Sequence, residues 1–186
     1  MEPVKLLEQV VAEGQRVIDN IKPDQLGDPT PCEEFDVKAL LNHLTMAAAL
    51  ITDGVHQQPM NPELFTKDFL GADPAGSFRE TSKQLVEAWN EPGVLDGTVI
   101  MPYGETPAVA GANFTCLELY AHVCDAAIAT GQEDALDPTV AADVFEAVSA
   151  MPIDKFRMPG VFGPEVPCDE AAPAHRRMLA LLGRQV

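Results

Sequence analysis

The stretch L-E-L-Y-A-H-V-C-D-A-A-I-A-T-G-Q, residues 117–132, decides the fold because it is the best helix-forming segment of the chain. Gly131 stands where this helix should end, since glycine accepts the left-handed C-terminal conformation. Glu118, His122 and Asp125 follow one another at i, i+4 and i+7, so their side chains share one face. That face is partly apolar, and burying a carboxylate beside an imidazole is costly unless the groups pair or bind something. The segment therefore predicts a polar site inside a helical core.

Three other segments have the hydrophobic period of long helices, which gives four substantial helices in all. The four cover residues 3–21, residues from the cap Asp36 to Ile51, residues 74–89 after the cap Asp73, and residues 110–130. Shorter helices are predicted at 139–150, started by Asp137 or Pro138, and at 174–182. Within residues 97–109, T-V-I-M, a Pro-Tyr-Gly turn and T-P-A-V predict a small hairpin that its prolines confine to an edge. The fold class is therefore all-α, a four-helix bundle with long crossover loops and a possible small edge hairpin.

The connecting segments contain no sign of a domain boundary, so we expect residues 1–186 to form a single domain. Residues 23–35 are rich in Pro, Asp and Gly and are predicted to be a surface loop. Residues 57–72 are irregular, and we expect Leu64-Phe65 and Phe69-Leu70 to anchor them to the core.

Composition excludes several classes of function. The chain is 46% hydrophobic, which is typical of a folded core, but its net charge is −17 and its 12 basic residues are scattered. Nucleic-acid binding requires clustered Lys and Arg, so no nucleic acid is expected as a partner. The sequence shows neither a membrane span nor a secretory signal, which favours a cytoplasmic protein with no membrane partner. The four cysteines have no C-x-x-C spacing and are expected to be reduced thiols: Cys32, Cys116, Cys124 and Cys168.

A metal site is the sharper interpretation of the polar face. The E-x-x-x-H spacing of Glu118 and His122 aims both side chains at one point. His43 lies beside the apolar stripe of the second helix and could add another nitrogen. Two imidazoles and one carboxylate form a three-ligand set for Zn²⁺ or a similar ion, with a coordination position left open. Asp125 could be a fourth ligand, an acceptor for the free N–H of a ligating imidazole, or the partner of an arginine.

A simpler interpretation needs no metal. Glu118 and His122 could share a hydrogen bond within their helix, while His43 is a hydrogen-bonded core residue. The two other histidines add nothing to the site in either interpretation. His56 is expected to face solvent, and His175 is expected to contact nothing specific.

The segment T-P-C-E-E-F-D-V-K-A-L-L-N-H-L, residues 30–44, resembles the start of the second helix in DinB-like metal-binding bundles. More closely, it is similar to the N-terminal domain of mycothiol-dependent maleylpyruvate isomerases, where such a run leads to a metal-binding histidine. Here that histidine is His43. The block E-L-Y-A-H-V-C-D-A-A-I-A-T-G-Q resembles the later helix of that family, with Glu118 and His122 as the remaining ligands. M-P-Y-G-E-T-P-A, V-F-G-P-E-V-P-C and R-M-L-A-L-L-G-R also resemble segments of the family.

The resemblance implies a single-domain, metal-dependent relative that acts with a low-molecular-weight thiol. The leading hypothesis is a mycothiol-type thiol S-transferase or thiol-assisted isomerase that acts on a small electrophilic substrate. The metal would be Zn, with Ni or Fe as alternatives. The second hypothesis is a non-catalytic, metal-stabilised bundle or ligand-binding module, with a homodimer possible. For an acidic thiol, Arg79 and Lys83 are the candidate basic contacts, although both also fit solvated surface charges.

Overall fold

The computed structural model describes residues 1–157 and 161–186. It contains six α-helices and one two-stranded antiparallel sheet within those residues. In chain order the elements are α1 (Pro3–Asp19), α2 (Val37–Val55), α3 (Pro74–Trp89), β1 (Thr98–Met101), β2 (Gly104–Pro107), α4 (Ala108–Ala129), α5 (Pro138–Ser149) and α6 (Ala174–Leu181). The all-α fold class and the small hairpin are therefore confirmed.

Short polar side chains fix where the helices begin. The Asp36 carboxylate accepts a hydrogen bond from the Ala39 amide at 2.8 Å. Asp73 and Asp137 do the same for amides in the first turns of α3 and α5. Each contact satisfies one of the backbone donors that a helix leaves without an internal partner. At the other end of α4, Gly131 has φ of +70°, the left-handed conformation expected of a residue that ends a helix.

The four long helices α1, α2, α3 and α4 form the bundle, and α4 is its central helix. Helix α1 packs on α3 and α4, helix α2 packs on the same two, and α5 and α6 pack on one another and on α4. Of the 22 residues in α4, 16 are buried, so this helix is covered on nearly every side. Polar groups on α4 consequently lie in the interior of the bundle. Polar side chains are rare there, so the positions of Glu118 and His122 are unusual.

The hairpin covers one end of the bundle. Val99 pairs with Thr106 and Met101 with Gly104, and Pro102-Tyr103 forms the connection. Strand β1 lies against α2 and α4, and Val99 and Met101 are buried there. The hairpin therefore closes the bundle beside the helices that carry the candidate ligands.

Two expectations about the loops are wrong in part. The segment 23–35 was expected at the surface, but Cys32 and Phe35 are partly buried and pack against the core. Backbone bonds from Val37 to Asp28 and from Lys38 to Leu26 fold this segment back onto α2. In the segment 57–72, Leu70 is buried as expected, but the Phe65 side chain is 53% exposed.

The expectation that His175 contacts nothing specific is wrong. His175 is buried in α6, and its Nε2 lies 2.8 Å from Glu133 Oε1. The neighbouring Arg176 donates to the other oxygen of the same carboxylate at 2.7 Å. Glu133 follows α4 in the chain, so these contacts attach α6 to the end of the central helix. The pairing spans more than 40 residues, a range that helical periodicity does not address.

Replacing Glu133 with glutamine should destabilise the protein by about 1 kcal/mol at pH 7, as expected for a partly exposed ion pair. Hydrogen bonds from Arg176, assisted by His175, lower the pKa of Glu133 to about 2. A carboxyl group with a lowered pKa stabilises the fold above its ordinary pKa of 4.5 and loses that effect as the pH falls towards 2.

Urea unfolding at pH 7 and pH 3.5 measures this effect, with Glu87→Gln as the matched control because Glu87 and its partner Lys83, 3.8 Å away, are both exposed. The stability difference between wild type and Glu133→Gln should be smaller at pH 3.5 than at pH 7. A difference that is constant or grows at the lower pH contradicts the assignment.

Among the described residues, none of the helices has both the length and the apolar character needed to cross a membrane.

Candidate metal centre

The structure brings the three predicted ligands together between α2 and α4. His43 Nε2 lies 2.9 Å from Glu118 Oε1, and His122 Nε2 lies 3.6 Å from the same oxygen. The two imidazole rings are 4.8 Å apart between centroids. One donor atom from each of the three residues lies within 4.8 Å of the others. Both helices are long and packed together, so the positions of the donors are set by the bundle core.

The carboxylate of this group stays ionised although it is largely buried. Burial alone would raise the pKa of Glu118, but hydrogen bonds from His122 and His43, together with their charges, lower the pKa well below its usual range. Burial alone would lower the pKa of His122, but its hydrogen bonds with Asp125 and Glu118 and their negative charges raise the pKa to about 9.

Asp125 contacts Nδ1 of the His122 ring, the nitrogen that does not face Glu118. Its Oδ2 lies 3.3 Å from His122 Nδ1, and the Asp125 side chain is completely buried. A hydrogen bond donated by Nδ1 leaves Nε2 facing Glu118 and His43, the orientation that ligation would need. The same Oδ2 lies 3.5 Å from Nη2 of Arg184. Two of the three roles considered for Asp125, acceptor for the imidazole and partner of an arginine, are thus present in the geometry.

The donor set fits a divalent metal ion. Two ligand atoms bound to one tetrahedral zinc at ~2.0–2.1 Å are roughly 3.3 Å apart. The separations of 2.9 and 3.6 Å from Glu118 to the two imidazoles bracket that value. Two nitrogens and a carboxylate oxygen suit Zn²⁺ and also Ni²⁺ or Fe²⁺. Small side-chain shifts would therefore convert the hydrogen-bonded cluster into a coordination site.

The three candidate ligands are part of the lining of a large pocket. Its volume is about 1040 Å³, and it is lined by segments from α2, α4, the hairpin turn and the C-terminal residues. His43 is stacked against Phe35 from the folded-back loop, with ring centroids 5.0 Å apart. The side chains of His43 and Glu118 are 28% and 18% exposed, while that of His122 is 7% exposed. A ligand in the pocket can therefore reach His43 and Glu118.

Cys32 belongs to this site, although its spacing from the other residues gave no sign of it. Its sulfur, a nitrogen of His122 and an oxygen of Asp125 lie within 4.8 Å of one another. Burial raises the pKa of the Cys32 thiol, and the charge of Arg184 opposes that effect. Only the resemblance of T-P-C to a family motif pointed to this cysteine, because its loop approaches the site through tertiary contacts.

The basic residues of the pocket are also different from those predicted. Arg79 pairs with Asp19 at 2.8 Å and Lys83 lies near Glu87, and all four side chains are exposed. These two cations fit the alternative interpretation as surface charges. Arg157 and Arg184 line the pocket instead. Both come from segments that return to α4 late in the chain, so nothing near the metal motifs could have indicated them.

Comparisons with known proteins bear on the fold. No family model matches the chain. It is 28% identical over 187 residues to an uncharacterized protein of Mycobacterium tuberculosis, found in strains CDC 1551 / Oshkosh and ATCC 25618 / H37Rv, with 100% of both chains covered. Among solved structures, the mycothiol-dependent maleylpyruvate isomerase matches with a TM-score of 0.65 and 17% identity. That match covers 80% of this chain and 67% of the isomerase.

This chain has the fold of the mycothiol-dependent maleylpyruvate isomerase. A histidine-to-alanine mutant of that isomerase matches with a TM-score of 0.58 and 17% identity, over 67% of this chain and 59% of the mutant chain. The resemblance inferred from the motifs is therefore confirmed at the level of the fold. Because the chain spans only 59–67% of the isomerase chains, the likeness to the isomerase bears on the bundle and not on the whole of that enzyme.

Replacing Asp125 with asparagine should weaken zinc binding by roughly 10–100-fold, the usual effect of removing a partner that orients a ligating imidazole. Asparagine has nearly the same shape as aspartate, but it removes the negative charge that faces both His122 and Arg184, so circular dichroism and urea unfolding must first show that the variant is folded. Competition with a chromophoric chelator measures the zinc affinity, and Asp24→Asn, a change at an exposed carboxylate, is the control. Equal zinc affinities in the two variants would exclude an orienting role for Asp125.

Proposed function

We propose that this protein is a divalent-metal-binding enzyme that uses a low-molecular-weight thiol of the mycothiol type on a small electrophilic substrate, as an S-transferase or thiol-assisted isomerase. His43, Glu118 and His122 are the proposed metal ligands. The observation that carries the proposal is the convergence of two imidazoles and one ionised carboxylate in the lining of a pocket of about 1040 Å³. The fold shared with a mycothiol-dependent isomerase supports the choice of thiol chemistry.

A divalent ion in this position, with zinc as the first choice, would act as a Lewis acid that lowers the pKa of a bound thiol. The residues of the chain prepare that position. Glu118 supplies a negative charge that stays ionised, and Asp125 keeps Nε2 of His122 directed at the site. Phe35 stacks on His43 and limits the rotation of its ring.

The pocket supplies the rest of what such a reaction needs. Apolar side chains make up much of the pocket lining, and an apolar surrounding strengthens the interaction of a charged sulfur with nearby charged groups. The exposed parts of His43 and Glu118 face the pocket, where we propose that the thiol and the electrophile bind. We place the reaction in the cytoplasm. The homodimer stays a prediction. The organisation of residues 1–186 as a single domain also stays a prediction.

The proposal is tested by metal content and thiol turnover in one preparation. We expect purified protein to hold about one equivalent of metal, and to accelerate consumption of a low-molecular-weight thiol by an electrophile. Chelation should abolish the acceleration and added zinc should restore it. Bound metal without any thiol turnover would contradict the enzymatic proposal and favour the alternative, a non-catalytic metal-stabilised bundle. Such a bundle would lose thermal stability on chelation but would show no chemistry.

A further inference from the structure

Three aromatic rings line the same pocket as the candidate metal ligands. Tyr103 from the hairpin turn, Phe114 from α4 and Phe156 pack edge to face or tilted, with centroids 4.8, 5.1 and 5.5 Å apart. These three residues come from distant parts of the chain. Such a cluster offers ring faces and edges to a flat apolar ligand.

The rim of the same pocket exposes apolar side chains. Phe65 is 53% exposed, and Tyr103 and Val161 are each 43% exposed, and all three line the pocket. Single exposed apolar residues are ordinary, but several that surround one cavity indicate a ligand surface. This also explains why Phe65, expected to anchor its loop in the core, projects outward instead.

The charges at the pocket do not favour an anionic ligand. Of the described residues that line the pocket, Arg157 and Arg184 are the only lysines or arginines. Arg157 donates to Asp154 at 2.7 Å and to the Leu181 carbonyl at 3.1 Å. Arg184 is buried beside the Asp125 carboxylate. The Arg157 guanidinium is thus engaged within the protein, whereas that of Arg184 lies 3.5 Å from Asp125 and its Nε has no hydrogen-bond partner among the described residues.

Carboxylates balance the cations of the pocket. Glu33, Glu34 and Glu118 line it and Asp125 lies beside Arg184, so these four charges match two arginines and one divalent ion, and the chain as a whole has a net charge of −17. A negative field lowers the local concentration of anions and disfavours their binding. The volume of about 1040 Å³ lies at the upper end of the range for small-molecule sites, so a ring system and a thiol can be held together.

We propose that the pocket binds an uncharged electrophile with an aromatic or similarly flat apolar body, and that small dicarboxylates are poor ligands. The apolar body would lie among Tyr103, Phe114 and Phe156, with the reactive end directed towards His43 and Glu118. That the ligand is an electrophile rests on the proposed function, but the preference for apolar over anionic ligands can be measured without turnover.

The test uses N-phenyl-1-naphthylamine, an uncharged dye whose fluorescence rises in apolar sites, titrated into the full chain. We expect saturable binding that Phe65→Ala and Tyr103→Ala each weaken about tenfold, the effect of losing much of one aromatic contact. Val109→Ala is the matched control, because Val109 is 48% exposed and lies outside the pocket lining. All three positions are exposed, so the variants should keep the circular dichroism spectrum of the wild type.

Competition completes the test. Naphthalene should displace the dye, and succinate at the same or a hundredfold higher concentration should not. Unchanged dye affinity in both aromatic variants, or displacement by succinate as effective as by naphthalene, overturns the inference. Chelation separates this inference from the proposed function, since the full chain without metal should still bind the dye. If the wild type shows no thiol turnover but the dye results hold, the proposed function fails and the ligand preference stands.

Discussion

Replacing His43 with alanine is expected to weaken zinc binding by at least about 100-fold. Losing an outer partner of a metal ligand already costs roughly 10–100-fold in affinity, and His43 supplies one of only three proposed donors. The remaining pair, Glu118 and His122, lies one turn apart on a single helix and cannot surround an ion from two sides. The His43 side chain is 28% exposed, so its removal should leave the fold intact.

The matched control for His43→Ala is His56→Ala. His56 follows α2 directly, its side chain is 42% exposed, and its Nε2 lies 3.0 Å from Glu91 on the outside of the bundle. Zinc affinity is measured for both variants by competition with a chromophoric chelator, and circular dichroism checks that both are folded. Equal losses of affinity in the two variants, or none in either, would show that zinc binding does not depend on His43.

Replacing Gly54 with alanine is expected to lower the free energy of unfolding by about 2 kcal/mol. A Cβ atom at this position would lie 1.9 Å from the carbonyl oxygen of Ile100 in β1, which is backbone and cannot rotate away. Accommodating such an overlap typically costs about 1–3 kcal/mol of stability. Because alanine is favoured over glycine in a helix by about 1 kcal/mol, we place the overlap near the upper end of that range.

Two other glycines calibrate the Gly54 result in the same urea unfolding assay. Gly27→Ala meets nothing within 4 Å and should change stability by less than about 0.5 kcal/mol. Gly111→Ala would meet a methyl group of Val99 at 2.7 Å and should fall between the two, since a side chain can adjust. A Gly54→Ala protein as stable as Gly27→Ala would mean that β1 does not lie against α2 as described.

The sequence predicted the helices well because their signals are local. The caps Asp36 and Asp73 and the terminator Gly131 act on amides or turns within a few residues, so each could be identified without knowledge of the fold. The hairpin was equally local, since its two strands are joined by Pro102-Tyr103. Helical spacing also placed Glu118 and His122 on one face and His43 beside the apolar stripe of another helix, and motif resemblance supported all three.

The parts of the site that sequence reasoning missed depend on contacts between distant segments. Arg184 reaches Asp125 across 59 residues, and Cys32 reaches His122 through a loop that folds back onto α2. The error over His175 has the same origin, since its partner Glu133 is 42 residues away. Neither periodicity nor short motifs contain information about such pairs, which the packing of the whole bundle determines.

The central claim is that His43, Glu118 and His122 together bind one metal ion. The most direct measurement is a crystal structure of the protein prepared with zinc, with anomalous differences collected at the zinc absorption edge. We predict one strong peak bonded to Nε2 of His43, Nε2 of His122 and a carboxylate oxygen of Glu118 at about 2.0–2.2 Å. A peak among Cys32, His122 and Asp125 instead, or no peak near these helices with zinc in excess, would contradict the account.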